Sequence, residues 1–533
     1  MPADGHGADQ KWARHRAVET AAIAAVLAAA TLLVYWQVRH FDFINFDDNV
    51  YVPGNPHIRG GLTWAGIVWA FSTFDYFYWQ PLTWLSHMLD CQWFGLKAGY
   101  HHFTNVVWHV VNSLLVFVVF RRLTGAQWRS AILAGLFALH PLRVESVAWV
   151  AERKDVLSCF WFLVAVWAYV RYTERPSDGR FRCVLLAMLA GLMAKPMLVT
   201  VPLLFLVLDY WPLRRVALAE KAPMVFLAAV ASALTFVGTH RMGAMAWSAG
   251  IPIHVRISNA LLSYVRYIGK AIWPEKLSIF YSYPDPISIS AWKVAAAALL
   301  LGGITAATLW AGRRERFFAA GWLWFLVGLI PTIGIVQVGR QAMADRFTYI
   351  PLIGLFLVAV WGGELLLREH RAAAAAGASI LLITCGLQSW KQTRTWRDSV
   401  TVFEHALTVE ESSVAHRHLG AALAQRNSID ESIPHFRAAI RIEPRWFIAH
   451  YDYGLALKQR GDLEEAASQF AEAARWKPNY GDAFLELGQI LVTTGKSREA
   501  LVPVREALRV GVSPENSARA GELLGQISSA LND

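Results

Sequence analysis

Residues 447–480 read FIAHYDYGLALKQRGDLEEAASQFAEAARWKPNY, and the same spacing returns on either side of them. Gly454 has counterparts at Gly420 and Gly488, a step of 34 residues each way. Phe470 answers to Phe436, with Val504 in the third copy. Ala473 repeats as Ala439 and Ala507, Ala466 as Ala500 with Ser432 before them, and Pro478 as Pro444. Small residues stand where two helices cross, a bulky one sits between them, and a proline ends the second helix. A unit of this kind cannot bury its apolar face alone, so copies stack and leave a concave surface.

This is the tetratricopeptide (TPR) pattern, in about three and a half copies. The stretch 396–407 reads as the second helix of a partial first copy. Outward from the repeats the composition changes near Trp390. Before it, apolar runs alternate with short loops; after it, the chain is charged and alanine-rich. The whole chain of 533 residues is 55% hydrophobic and 17% charged, with mean hydropathy +0.33. Soluble domains carry roughly 25% charge, so this is a membrane protein's composition. The 24 tryptophans and 16 tyrosines suit interfacial belts. The four cysteines are too few and too dispersed for a disulfide framework or a zinc site. No two histidines have the spacing of a zinc motif, and no nucleophile elbow or phosphate-binding glycine loop is present. The net charge of +10 reads as membrane orientation and lipid contact, not as a nucleic-acid stripe.

The expected fold is all-α: a cytoplasmic segment 1–19, a polytopic membrane domain over 20–390, and a TPR solenoid over 391–533. A crossing helix needs about 20 apolar residues. The runs 20–38, 103–120, 156–172, 222–239, 292–311, 317–336, 349–367 and 373–390 qualify. The shorter runs 128–141, 183–195 and 197–212 bring the count to about eleven spans. The stretch 257–275, interrupted by Arg266 and Lys270, is expected to lie in the interface. Every second loop is short and basic, as at Arg121–Arg122, Arg214–Arg215 and Arg313–Arg314. The positive-inside rule then places the N-terminus in the cytoplasm and the repeats outside it.

Four polar clusters fall on the non-cytoplasmic side of this topology. The first holds Asp47 and Asp48, adjacent carboxylates that need a cation, a metal or a shared proton near the membrane face. A general base and a loop turn are both open readings, and the pair can hold a divalent cation. The second runs from His140 through Arg143 and Glu145 to Glu152, Arg153, Lys154 and Asp155. As one helix it places Glu145, Trp149 and Glu152 on a common face. The third is Lys195, in a turn before Pro196, where a lysine commonly snorkels. The fourth holds Gln337, Arg340, Gln341, Asp345, Arg346 and Tyr349, and an Asp345–Arg346 pair is a structural possibility. Acids and fixed cations on one membrane face suit transfer of a group from a lipid-linked phosphate to a hydroxyl. A transporter places such groups nearer the midplane. A non-enzymatic membrane anchor whose repeats recruit envelope partners is the alternative.

Residues 46–71, FDDNVYVPGNPHIRGGLTWAGIVWAF, and 136–158, LFALHPLRVESVAWVAERKDVLS, resemble loops of the transmembrane and TPR repeat-containing O-mannosyltransferases. So do AKPMLVTVPLLFLVLDYWPL at 194–213 and ADRFTYIPLIGLFL at 344–357. That family is of the GT-C glycosyltransferase type. The resemblance implies a polyprenyl-phosphate sugar donor, mannose or another hexose, Ser/Thr acceptors presented through the TPR groove, and chemistry on the extracytoplasmic side. It implies a catalytic acid at Asp47 or Asp48 and a second at Glu145 or Asp155. Donor phosphate contacts would fall among Arg143, Arg153, Lys154, Lys195 and Arg346, with His140, Asp345 and Tyr349 as further candidates. Attack by the acceptor would invert the anomeric centre, since no second acid is paired as nucleophile. The short loops and compact C-terminus point to a bacterial homologue in the cytoplasmic membrane with periplasmic repeats; a eukaryotic chain would sit in the ER membrane.

Overall fold

Inside a bilayer each backbone N–H has to be satisfied within its own segment, and the apolar runs accordingly form helices. The computed structural model describes residues 5–74, 78–241, 250–284, 289–336 and 339–532. Gln337, one of the polar candidates, lies outside them. Among the described residues the chain is helical, with an isolated bridge between Ser282 and Gln341 and no strand. It divides into two units, Met1–Asp398 and Ser399–Asp533.

Among the described residues of the first unit seven helices are long and apolar enough to cross a membrane: Arg14–His40, Ala98–Thr124, Val150–Glu174, Pro196–Leu213, Ala219–His240, Ala291–Ala311 and Arg371–Arg394. A bent pair, Gln127–Leu139 with Pro141–Ala148, makes an eighth when counted as one span. Phe317–Leu329 and Leu352–Leu367 are apolar but shorter. The count is thus lower than the eleven expected. The run 317–336 stops being helical at Leu329, just ahead of Pro331. The run 349–367 becomes helical only after Pro351. Proline removes a donor and restricts the residue before it, which shortens both. Pro196 likewise ends the helix Asp178–Ala194, leaving Lys195 extended at φ −153° and ψ 127°. The expected interfacial segment forms the helix Ile253–Ile272, burying Val255, Asn259, Ala260, Ser263 and Tyr267 on one face.

The helix Ala98–Thr124 carries a buried polar stripe through its apolar sequence: His102, Asn105, His109 and Asn112, spaced three or four apart. His102 contacts the carbonyls of Ala148 at 2.6 Å and Asp42 at 3.0 Å. Asn105 donates to Trp149 O at 2.7 Å, and Asn112 to Val156 O at 2.8 Å. His109 Nδ1 lies 2.6 Å from the Tyr349 hydroxyl. One helix therefore fastens the loop after the first span, the break before Arg153 and the segment near Tyr349. Buried loop backbone needs such partners, and the stripe supplies them.

The second unit is the repeat solenoid, from the helix Ser399–Val409 to Ser517–Asn532. Trp396, expected in the first repeat helix, belongs instead to the first unit, where it packs on Trp149 with ring centroids 5.5 Å apart. Phe436, Phe470 and Val504 are buried, and each presses on the glycine of the helix before it. A Cβ on Gly454 would come within 2.8 Å of the Phe470 ring, and one on Gly420 within 3.1 Å of Phe436. The 34-residue glycine period is therefore a packing requirement. Burial of each aromatic contributes about 1.5–3 kcal/mol.

Candidate active site

The first span ends in a 3-10 turn, Trp36–His40, after which Phe41 is extended, residues 45–47 form a turn and the short helix Asp48–Tyr51 follows. The two adjacent acids face different surroundings. Asp48 is fully buried. Its Oδ2 accepts the Ile44 N–H and its Oδ1 the Ala151 N–H, both at 2.8 Å. It staples the first loop to the second. Burial lifts its pKa to about 7 against the pull of those two donors. Asp47 is half-buried, and among the described residues its carboxylate has neither a hydrogen bond nor an ion pair. Its pKa is also raised, first by burial; Lys154 and Arg346 oppose the shift and Glu152 adds to it. The two acids are thus held differently: Asp48 is engaged by two main-chain donors and, among the described residues, Asp47 is not.

The second cluster is not the continuous helix expected. Val144–Ala148 is one turn, Trp149 is extended at φ −95° and ψ 122°, Val150–Glu152 is a 3-10 turn, and the long helix begins at Arg153. Trp149 stacks on Phe46 at 5.6 Å and its carbonyl takes the Asn105 donor, so packing and a hydrogen bond hold the break. Glu145 and Glu152 still meet, through Arg346. Glu145 accepts the Arg346 side chain and, at 2.7 Å, its backbone N–H. Glu152 lies 3.2 Å from Arg346 Nε, 3.0 Å from Lys154 and 3.5 Å from Lys195. Lys195 also binds Asp155, whose other oxygen accepts from Ser146 at 3.0 Å. The lysine read as a snorkelling candidate is buried, at 5% exposure. Lys154 sits 4.7 Å over the Tyr51 ring. Glu152, quoted in the second cluster but not counted among the site residues, is the hub of this network.

Beside the network lies a small cleft. Its lining combines Asp155, Lys195, Arg346 and Tyr349 with the hydroxyl residues Ser158, Thr200 and Thr332 and with apolar side chains such as Met197, Leu198, Leu204, Ile350 and Pro351. Charged and apolar groups thus share one lining.

Asp47, Asp48, Glu145 and Lys154 are not among the residues lining the cleft, and four further candidates are engaged elsewhere. Arg153 is fully buried and donates to Asp90 at 2.6 Å, to Ser86 at 2.7 Å and to Asn105. Arg143 is fully buried, donates to the carbonyls of Thr348 and Tyr349, and lies over the rings of Phe137, Tyr349 and Phe356. Both guanidinium groups are enclosed by protein. His140 caps the turn at Leu142 and contacts Ala271 O at 3.0 Å. Asp345 turns from its neighbour Arg346 to the Tyr281 hydroxyl at 2.7 Å, with Lys270 at 3.9 Å; burial raises its pKa. Sequence reading missed the stripe that carries the loops, although polar residues three and four apart in an apolar run were its visible signal.

Fold and site together define a polytopic helical membrane protein with a TPR solenoid and a buried acid–base cleft at its helix ends. The tetratricopeptide repeat family matches residues 448–480. Along most of its length the chain is homologous to proteins named protein O-mannosyl-transferases. It is 23% identical to Protein O-mannosyl-transferase TMTC1 of Homo sapiens over 515 residues, covering 83% of this chain and 58% of that protein. With Protein O-mannosyl-transferase TMTC4 of Homo sapiens it shares 24% identity over 494 residues, covering 77% and 65%. Mouse TMTC1 is 33% identical over a shorter stretch of 170 residues, 30% of this chain and 18% of that protein. The chain thus spans less than two thirds of these relatives' own length. Among solved structures, the TPR protein YrrB is similar at 18% identity and a TM-score of 0.22, covering 40% of this chain and 96% of that one.

Proposed function

We propose that this protein is a membrane glycosyltransferase that moves a hexose, mannose by analogy with its relatives, from a polyprenyl-phosphate carrier to Ser/Thr hydroxyls of proteins. Asp47 takes the proton of the acceptor hydroxyl. The hydroxyl oxygen bonds to the anomeric carbon as the bond from that carbon to the phosphate oxygen breaks. The sugar inverts and the polyprenyl phosphate leaves with one more negative charge than it carried as a diester. Lys195 and Arg346 face that developing charge from the lining of the cleft, where fixed cations act without reorganising. Asp155, Glu145 and Glu152 hold those cations in place. The hydrocarbon chain follows the apolar side chains of that lining. The TPR solenoid presents the acceptor peptide. The repeats lie outside the cytoplasm, in the periplasm of a bacterium.

The observation that carries this reading is the Asp47 carboxylate, unpaired among the described residues, with raised proton affinity, in reach of the charges of Lys154 and Arg346. Glycopeptide mass spectrometry on cells expressing wild type or Asp47→Asn at equal level tests it. Loss of hexose from particular Ser/Thr sites in the variant supports it. An unchanged glycan profile removes the base and, with it, the enzyme reading.

A further inference from the structure

A second polar cluster lies outside the cleft, between the helices Pro81–Phe94 and Ala98–Thr124. His87, Asp90 and His101 each offer one ligand atom, and these atoms lie within 4.8 Å of one another. All three side chains are buried. We propose that they bind one transition-metal ion of the zinc class, which fastens these two helices together beneath the first loop.

Three further observations favour an ion over a plain polar contact. Neither ring nitrogen of His87 has a hydrogen-bond partner among the described residues, though the residue is fully buried. A buried imidazole left so is costly, and a ligand removes the cost. His101 has its Nε2 2.8 Å from the Gly95 carbonyl, which fixes the proton there. Its Nδ1 therefore carries a bare lone pair toward the cluster and has no hydrogen-bond partner of its own. A metal-ligating histidine is usually held in this way by its other nitrogen. Asp90 is held from outside as well: Oδ1 accepts from Thr104 at 3.1 Å and Oδ2 from Arg153 at 2.6 Å, with His101 Nδ1 3.7 Å from Oδ2.

The charge balance selects the kind of ion. The Arg153 guanidinium already draws on the one carboxylate. A hard cation such as calcium or magnesium takes most of its ligands as oxygen, and only Asp90 supplies them. Two neutral imidazoles and a shared carboxylate suit zinc, cobalt or nickel, which bind nitrogen well. The helix Pro81–Phe94 brings His87 and Asp90 to one face at a spacing of three, and the turn at Gly95 returns His101 to them. Spacing along the chain does not show this, because the second histidine comes from the next helix.

The test uses the full-length protein in detergent, stripped with a chelator and titrated with cobalt(II). The expected result is a d–d absorption band saturating at about one ion per chain, displaced by zinc. His87→Ala and His101→Ala each weaken cobalt binding by about tenfold or more, while the exposed His254→Ala leaves it unchanged. Absence of the band in wild type overturns the proposal, whether or not the variants fold. Equal stoichiometry and affinity in wild type and His87→Ala also overturn it. Neither readout depends on sugar transfer, so failure here is distinguishable from failure of the proposed activity.

Discussion

Asp47 and Asp48 are identical side chains on adjacent residues, and burial and backbone partners give them different work. Asp47→Asn removes a carboxylate that has no hydrogen bond or ion pair among the described residues. It should lower transfer by about 10²–10⁴-fold with the thermal transition unchanged, read by a peptide glycosylation assay beside a melting curve. Asp48→Asn should do the reverse in part. Its amide sets an N–H against a main-chain N–H, so stability falls by about 1–3 kcal/mol and activity falls through the loosened loop. The pH profile follows from Asp47. Only its ionised form accepts a proton, and its pKa is raised by burial. Transfer is therefore lost as pH falls through that raised value, and the acid limb of kcat/KM should lie above the ordinary aspartate value of about 4. A limb at the ordinary value would place the base elsewhere.

Between residues and the whole chain, the elements carry the site by their interruptions. The break at Trp149 turns Glu145 and Glu152 onto Arg346 from two separate turns. Replacing Arg346 by Ala leaves both acids buried without it, at about 3–5 kcal/mol. Arg346→Lys keeps the charge but not the fork that spans two carboxylates. It should raise KM for the lipid donor more than it lowers kcat, which steady-state kinetics with a polyprenyl-phosphate sugar will separate. In the solenoid the critical elements are the crossings. A Cβ on Gly488 collides with Val504. Gly488→Ala should cost about 1–3 kcal/mol, measured by urea unfolding of the isolated repeats. A neutral result would mean that neighbouring helices shift freely at that crossing.

For the molecule as a whole, the two units have separate cores. Leu457, Phe470 and Ile490 belong to one cluster of the solenoid, and Leu485, Val504 and Leu523 to another. Residues 399–533 expressed alone should therefore fold as a helical, cooperatively melting domain, checked by circular dichroism. Placement of the repeats outside the cytoplasm predicts that a cysteine introduced at the half-exposed Ser513 reacts with a membrane-impermeant maleimide added to intact spheroplasts. The native Cys183, exposed near the basic start of the helix Asp178–Ala194, should not react. Labelling of Cys183 alone would invert the topology and place the cleft on the other face.

The sequence by itself determined the parts whose cause is local. Apolar runs have to be helices in lipid, and a 34-residue period of small and bulky residues has to stack. Both readings depend on residues near in sequence, and so does the suspicion of acids and bases in the loops. Tertiary structure alone decided which members act together. It enclosed Arg143 and Arg153, drew Lys195 to Asp155, made Glu152 a hub, and spent Asp48, but not Asp47, on two N–H groups. Those outcomes rest on partners tens to hundreds of residues away, such as Arg346 for Glu145 and Ala151 for Asp48. Charge and burial are properties of such contacts, and a residue's type does not contain them.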